Sequence, residues 1–508
     1  FRGKMLKRTL FTSLIHILLA IALVLSACSP KSSPPSPDPI STSVQQTIQE
    51  SQTLATPEAE PTPTGPPAVT PTSQLAPQNR THYQLNLTLN YYSRVADVSE
   101  TITYTNRSPK PLTEIVLAIP PRNYPDSFRQ NLLTGPTVQG FFEDSQITRV
   151  ILTSPLEPGA QTQLHLEFRL VLPENEGTYG ISNRQTNLFN WYPYIPPYDE
   201  EKGWTVHPMV VVNGAQIGEY VVSEIADFDV HLKLTDRANL IEVAASAPAA
   251  GEPKSGDYTY HLEMARSFAF SVCDSYFEEE IMHNGIRIRA YLFFNEVETG
   301  QHILQVAAQA LDLYGELWMP YPREMLSIVA ADYLHNMEMD GMVMLSYGVI
   351  DNAKIERESM LDYLVPHEIS HQWFYSLVHN DQAIEPWLDE ALATYSESLF
   401  YERYYPDLLA WWWTNRVDKY TLVGFVDAKT SDSSGYDSYR DAVYLRGAQF
   451  LRDLRQSVGD QVFFTSLKDY FETNFNRIGN AEGFFKIFSY HSDKDLKPLI
   501  AQYFERQP

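Results

Sequence analysis

His367 and His371 bracket Glu368 in the string His367-Glu368-Ile369-Ser370-His371, and Glu390 follows after eighteen intervening residues, inside Trp387-Leu388-Asp389-Glu390. On a helix, side chains four apart stand one above the other on the same face. Two neutral imidazoles so placed can share one divalent cation, and the glutamate between them then points toward the open side as a general base. A carboxylate arriving from a second helix completes a two-histidine, one-glutamate set. It leaves a fourth position for water, which is the ligand count of a catalytic site rather than a closed structural one. The fold is constrained accordingly: two helices must be held against each other so that His367, His371 and Glu390 converge. The bare pentapeptide is also compatible with an amphipathic helix carrying solvated histidines. A carboxylate at a set distance, on its own aromatic-led helix, argues against that. The donor set suits one Zn²⁺, and Co²⁺ or Mn²⁺ would fit the same cage.

The remainder of the chain divides by composition. Within residues 1–27, Met5-Leu6-Lys7-Arg8 is a basic stretch and Leu18 to Leu25 is the centre of an apolar run, the pattern of an export signal. It ends Leu25-Ser26-Ala27-Cys28, which resembles the bacterial lipoprotein cleavage box. That resemblance implies a lipid-modified Cys28 and an anchor on the extracytoplasmic side of a bacterial membrane, in the cell envelope. A plain transmembrane anchor or a secretory signal with an incidental cysteine is the alternative. Residues 28–79 are rich in Pro, Ser and Thr and cannot bury a core, so a disordered tether is expected there. The other cysteine, Cys273, lies in an apolar run and reads as buried filler without a partner. The net charge of −25 repels nucleic acid and anionic headgroups, so no nucleic-acid partner is expected.

From residue 80 the hydrophobic period becomes two. Tyr83, Leu85, Leu87 and Leu89 alternate with polar residues, as do Leu164, Leu166, Phe168 and Leu170, and later Phe228, Val230, Leu232 and Leu234. Gly and Pro clusters punctuate these runs, and a β-sandwich domain is expected over 80–280. Residues 281–508 open on one more alternating strand. Ile303, Val306, Ala310, Leu313 and Leu317 then step at helical spacing until Pro320-Tyr321-Pro322. A short strand, Leu326 to Ala331, precedes the helices with the metal-type residues, and helical faces follow from Val462 to Phe504. Trp411-Trp412-Trp413 reads as mixed core and partial exposure, because consecutive helical residues point different ways. The acidic runs Asp199-Glu200-Glu201 and Glu278-Glu279-Glu280 read as solvated surface, since no calcium-loop spacing accompanies them.

Two further segments bear on function. Upstream, Asn336-Met337-Glu338-Met339-Asp340-Gly341 places Glu338 29 residues before His367; downstream lies Val443-Tyr444-Leu445-Arg446-Gly447-Ala448. Together with the His-Glu-x-x-His and Glu390 spacing, they resemble the aminopeptidase N family of gluzincin zinc metallopeptidases over roughly residues 80 to 508. The resemblance implies an N-terminal β-sandwich domain followed by a thermolysin-like, mostly helical α/β domain with one Zn²⁺. It implies Glu338 as the anchor for a substrate's free α-ammonium and Tyr444 as donor to the transition-state oxyanion. Tyr436 and Tyr439 are close enough in sequence to compete with Tyr444. The second amine-binding residue, expected from the β-domain, has no position in the sequence. Asn190-Trp191-Tyr192-Pro193 resembles a cleft-facing loop of that domain, with packing aromatics as the alternative. The long C-terminal helical domain of larger members is not expected within a sequence ending at Pro508, which would leave the cleft more open.

The chain also departs from the family. Met339 stands where Asn is usual, His335-Asn336 replaces a Gly-x pair, and Tyr375-Ser376 replaces Gly-Asn. Glu397, seven after Glu390 on the same helical face, is placed to orient a ligand histidine; a solvated carboxylate is the alternative. His335 and His379 read as structural. The expectation is a lipid-anchored aminopeptidase acting on peptides with a free N-terminus, Glu368 serving as general base. An endopeptidase or a non-peptide hydrolase on the same site, or a non-catalytic envelope binding protein, is the alternative.

Overall fold

The computed structural model describes residues 79–506, apart from positions 176, 237, 294–296 and 352–354. The export signal, most of the tether and Cys28 lie outside the described residues. Among the described residues, the first part is sheet and the second mostly helix.

The sheet-rich region is built on six strands in the order Asp257–Ala265, Ala226–Leu234, Thr81–Asn90, Val95–Thr105, Gln161–Val171, Phe128–Thr134. Thr81–Asn90 pairs parallel with Ala226–Leu234 and antiparallel with Val95–Thr105. Alternation fixes the register: a slip of one residue would turn Tyr83, Leu85, Leu87 and Leu89, all buried, toward solvent. A three-stranded sheet (Leu112–Ala118, Ile147–Leu156, Val138–Asp144) and a four-stranded one (Glu242–Ala245, Phe270–Cys273, Gln185–Leu188, Tyr179–Ser182) contribute Ile115, Val150, Phe270 and Leu188 to the same core. Trp191 and Tyr192 are buried in this core, so the aromatics of that loop pack rather than face a cleft. Cys273 is free and fully buried.

Glu100 breaks the pattern. It sits between Val98 and Ile102 on the inner face, with no exposed surface and no hydrogen-bond partner for either carboxylate oxygen. Burial holds its carboxyl well above the usual carboxylate range. The folded state therefore binds a proton that the unfolded chain releases near pH 4.3 (roughly). Its own contribution to stability is greatest below that pH and declines as pH rises toward the folded-state pKa. Glu100→Leu is expected to stabilise the protein by about 1–3 kcal/mol at pH 8 and by less at pH 5. Thermal melts at both values check this, and a variant that melts lower at pH 8 would show that the carboxyl has a structural role.

The last strand of the four-stranded sheet ends at Cys273, and Phe277–His283 already pairs with Ile286–Leu292 in the next sheet. The expected division at 280/281 thus runs through a strand. This second sheet has the order Phe277–His283, Ile286–Leu292, Met325–Ala331, Met342–Ser346, Met337–Met339, with parallel pairing at its centre. Glu278 and Glu280 lie on one face of its first strand and pair with Arg289 at 3.4 and 2.6 Å, an ion-paired sheet surface. Four helices matter for the site: α1 (Val297–Leu317), α2 (Met360–Ser370), α3 (Trp387–Tyr404) and α4 (Arg446–Val458). Helix α1 buries Ile303, Leu304, Ala307, Leu311 and Tyr314 and stops ahead of Pro320. Helix α3 is buried continuously from Trp387 to Tyr401, so it has no polar face for a sequence pattern to show. Trp412 is fully buried and Trp411 and Trp413 half-buried. A small apolar cluster joins Phe189, Ala244 and Ala269 of the first region to Tyr333, Met339, Met342, Met344 and Tyr375 of the second. Met339 and Tyr375, two of the departures from the family, pack together there.

Candidate active site

Helix α2 starts at Ser359, whose hydroxyl accepts from the Asp362 amide, and ends at Ser370. His371 caps it with backbone angles still helical (φ −63°, ψ −17°), so the one-turn offset between the two histidines survives the helix end. Helix α3 brings Glu390 in its first turn. His367 Nε2 lies 3.4 Å, and His371 Nε2 3.6 Å, from the same oxygen, Oε2 of Glu390.

Each imidazole is aimed from behind. His367 Nδ1 is 2.9 Å from Glu397 Oε1, and His371 Nδ1 is 2.6 Å from Asp389 Oδ1. With each Nδ1 held by a carboxylate, both Nε2 atoms face Glu390. Glu397 is fully buried rather than solvated, and it accepts from Arg416 Nε and Nη2, both at 2.9 Å, and from Trp412 Nε1 at 3.1 Å. Burial alone would raise its pKa; Arg416 and His367 outweigh burial and hold it below the usual range. The sequence pattern alone gives Asp389 no role. Its position beside Glu390 on the first turn of α3 was the available signal.

These residues fit one zinc ion. Glu390 Oε2, the oxygen on which both imidazoles converge, is buried and has no hydrogen-bond partner. Burial opposes charge on the imidazoles, yet Glu390 and Glu397 raise His367 to about 9, and Asp389 and Glu390 raise His371 to about 10. A cluster that draws protons onto buried imidazoles has an excess of carboxylate that a cation would balance. Two nitrogens and one carboxylate oxygen are a zinc donor set with an open position.

Glu368 is 4% exposed, beside this point, and burial pushes its carboxyl up to about 7 against the opposing effect of the two histidines. Glu338 lies on the edge strand Met337–Met339, which turns back through Asp340-Gly341 to pair with Met342–Ser346. Gln372, just past α2, grips this hairpin: its Nε2 donates to Met339 O (2.8 Å) and its Oε1 accepts from Gly341 N (2.9 Å). Asp340 accepts from the amides of Arg266 and Ser267, from Arg323 and from the Ser376 hydroxyl. The serine of Tyr375-Ser376 thus serves the hairpin that carries Glu338.

Tyr444 stands on a π-helical turn, Arg440–Leu445, a geometry that recurs at functional sites. Its hydroxyl donates to Glu390 Oε1, and its ring lies nearly parallel to His367 (7°, centroids 6.0 Å apart). Gly447 makes this approach possible: a Cβ there would stand 2.4 Å from Ala391 Cβ, so α4 can press against α3 only with glycine at the contact. Tyr439 packs edge-on against Tyr444, while Tyr436 is 44% exposed and lies against His335. His379 is buried, with Nδ1 on Tyr375 O.

The sheet-rich region supplies one more carboxylate, Glu219, which the sequence reading missed. Gly218 (φ +59°) passes so near the helical region that a Cβ would meet Tyr439 Oη at 2.6 Å. Gln382 Nε2 donates both to Glu219 Oε2 and to Asp389 Oδ2. Burial and neighbouring carboxylates raise both Glu219 and Glu338 above the usual carboxylate range. No local pattern marks Glu219; the signal is spatial.

Two histidines on one helix, a glutamate on the next and a carboxylate between the histidines define a gluzincin-type zinc site. Residues 302–503 match the Peptidase family M1 domain. Aminopeptidase M1-C of Oryza sativa subsp. japonica is 24% identical over 406 residues, 73% of this chain and 43% of the relative. Aminopeptidase N of Lactobacillus delbrueckii subsp. lactis is 28% identical over 197 residues, 35% of this chain and 23% of the relative. The M1 zinc metallopeptidase of Deinococcus radiodurans has the same fold (TM-score 0.59, 19% identity), covering 85% of this chain and 95% of that one. A mutant of it was solved with a Tyr-Ser-Ala substrate (TM-score 0.59, 20% identity, covering 85% of this chain and 96% of that one). The matched M1 domain, the aminopeptidase relatives and the shared fold support the aminopeptidase N family of gluzincin metallopeptidases for this chain, with a single catalytic zinc. It spans less than half the length of the curated relatives it matches.

Proposed function

We propose that the protein is a zinc aminopeptidase that removes N-terminal residues from peptides outside the cytoplasm. The observation that carries this reading is Glu338. It is a buried carboxylate with one oxygen lacking any partner, placed with Glu219 beside the His367–His371–Glu390 set. A peptide's α-ammonium would supply the missing donors and charge. The tripeptide bound to the Deinococcus relative is a substrate of the same class.

His367, His371 and Glu390 would hold the zinc, with Asp389 and Glu397 fixing the imidazole tautomers. The ion, when bound, polarises the scissile carbonyl and acidifies the attacking water. Glu368 takes the water's proton and delivers it to the departing amine. Tyr444 turns its hydroxyl from Glu390 to the oxyanion that forms on the carbonyl oxygen. Glu338 and Glu219 set the distance from the free amine to the scissile bond, which limits cleavage to the first residue.

A panel of fluorogenic peptides with free and N-acetylated termini tests the reading. Chelator-sensitive cleavage of the free set alone is expected. Glu338→Ala should cost that set roughly tenfold to a hundredfold in kcat/KM, the worth of a hydrogen bond to a charged group, and leave acetylated peptides uncleaved. Efficient cleavage of acetylated peptides would instead make the enzyme an endopeptidase. The cellular address rests on the Leu25-Ser26-Ala27-Cys28 box. Membrane partitioning of the full chain that disappears in Cys28→Ser supports it, and unchanged partitioning overturns it.

A further inference from the structure

We propose that Glu219, Glu338 and Asp389 form a second cation site, selective for a hard divalent ion such as Mn²⁺, whose occupation excludes the substrate's ammonium. One oxygen from each residue lies within 4.8 Å of the other two, a spacing that a single ion can span. Glu338 is 4% exposed and its Oε1 is buried without a hydrogen-bond partner, so an acceptor there awaits a donor or a cation. The polar group now shared by two of the three carboxylates is the neutral amide of Gln382, which bridges Glu219 and Asp389. A neutral amide satisfies lone pairs but supplies no positive charge, so these crowded carboxylates hold on to protons that a divalent ion would displace.

The two neighbouring sites differ in donor chemistry. His367, His371 and Glu390 offer two nitrogens and one oxygen, which favour zinc. Glu219, Glu338 and Asp389 offer oxygen alone, the donor set of Mn²⁺, Mg²⁺ and Ca²⁺. Hard ions are therefore sorted to the second site while zinc stays in the first. Glu219 is half-buried, and it and Met337 line a cavity with Asn190, Gln216 and Tyr220, so this member of the trio is reached from outside the helical region. Asp389 also ties the two sites together: Oδ1 faces His371 and Oδ2 faces Gln382. The exclusion of ammonium rests on the aminopeptidase reading, because Glu338 and Glu219 are its amine anchor.

The experiment uses full-length, zinc-loaded enzyme titrated with Mn²⁺, with free Mn²⁺ followed by electron paramagnetic resonance. One bound Mn²⁺ per chain with undiminished zinc content is expected. Glu219→Gln should weaken Mn²⁺ at least tenfold at unchanged zinc content and melting temperature. Leucinamide, a small free amine, should displace Mn²⁺, and Mn²⁺ should inhibit competitively against free-amine peptides. Equal Mn²⁺ binding by parent and Glu219→Gln overturns the site, and leaves the amine anchor to be judged separately by the acetylated panel. Glu219-dependent Mn²⁺ that leucinamide does not displace overturns the competition.

Discussion

Glu368→Gln is expected to lower kcat roughly 10²- to 10⁴-fold, the usual worth of a positioned general base, while zinc remains bound. The structure separates the two outcomes. Glu368 shares the helical turn with both histidines, but the converging donor set is His367, His371 and Glu390. Its carboxyl is buried beside the point on which those donors converge, and burial pushes it up to about 7. Glutamine keeps the size and a polar oxygen and loses only the basic site. Metal analysis of the purified variant should give the parent's zinc content, and steady-state kinetics should show the loss in kcat with KM little changed. Activity within threefold of the parent would remove Glu368 from the mechanism. Loss of zinc would instead make it part of the metal cage.

How much of this was visible in the sequence depends on the range of each interaction. The spacing of His367, His371 and Glu390 is a local code, because a helix converts four residues into one turn. The alternation of Tyr83, Leu85, Leu87 and Leu89 is equally local and fixes which face is buried. Glu397 was ambiguous for a physical reason. Sequence gives its face on α3 but not that Trp412 and Arg416, fifteen and nineteen residues on, close over that face. The uniform burial of α3 hides the amphipathic signal that separates a solvated carboxylate from an enclosed one.

Glu219 was illegible because nothing along the chain relates it to Glu338, 119 positions away. Only the docking of Ile217 and Gly218 on the helical region brings it there. Glu100 misleads in the opposite sense: alternation demands an apolar residue at its position, and the chain places a carboxyl there. The departures Met339 and Tyr375 look independent in sequence, yet in space they belong to one apolar cluster. Glu338 keeps its place because Gln372 and Asp340 hold its hairpin through the backbone.

Tyr444→Phe is expected to reduce kcat about 10²- to 10³-fold, the cost of removing one oxyanion donor, with KM for free-amine peptides changed little. Phenylalanine keeps the parallel contact with His367 and the edge contact with Tyr439, so the packing that places the ring should persist. What disappears is the hydroxyl, which rests on Glu390 Oε1 before substrate arrives. That resting bond raises a competing role: the hydroxyl orients Glu390 so that Oε2 faces the two imidazoles. The two roles predict different losses. A donor to the oxyanion acts in the transition state, so kcat falls and zinc content holds. An orienting partner of Glu390 acts on the ion, so zinc dissociates faster and added zinc restores turnover. Stopped-flow transfer of zinc to a chelator, run beside the kinetics, reads the second effect alone. A kcat within tenfold of the parent at full zinc occupancy would rule out Tyr444 as the donor. The buried, fully packed Tyr439 would then be a poor substitute, since its hydroxyl lies against the Gly218 passage. Tyr436, half exposed beside His335, would be the next residue to replace.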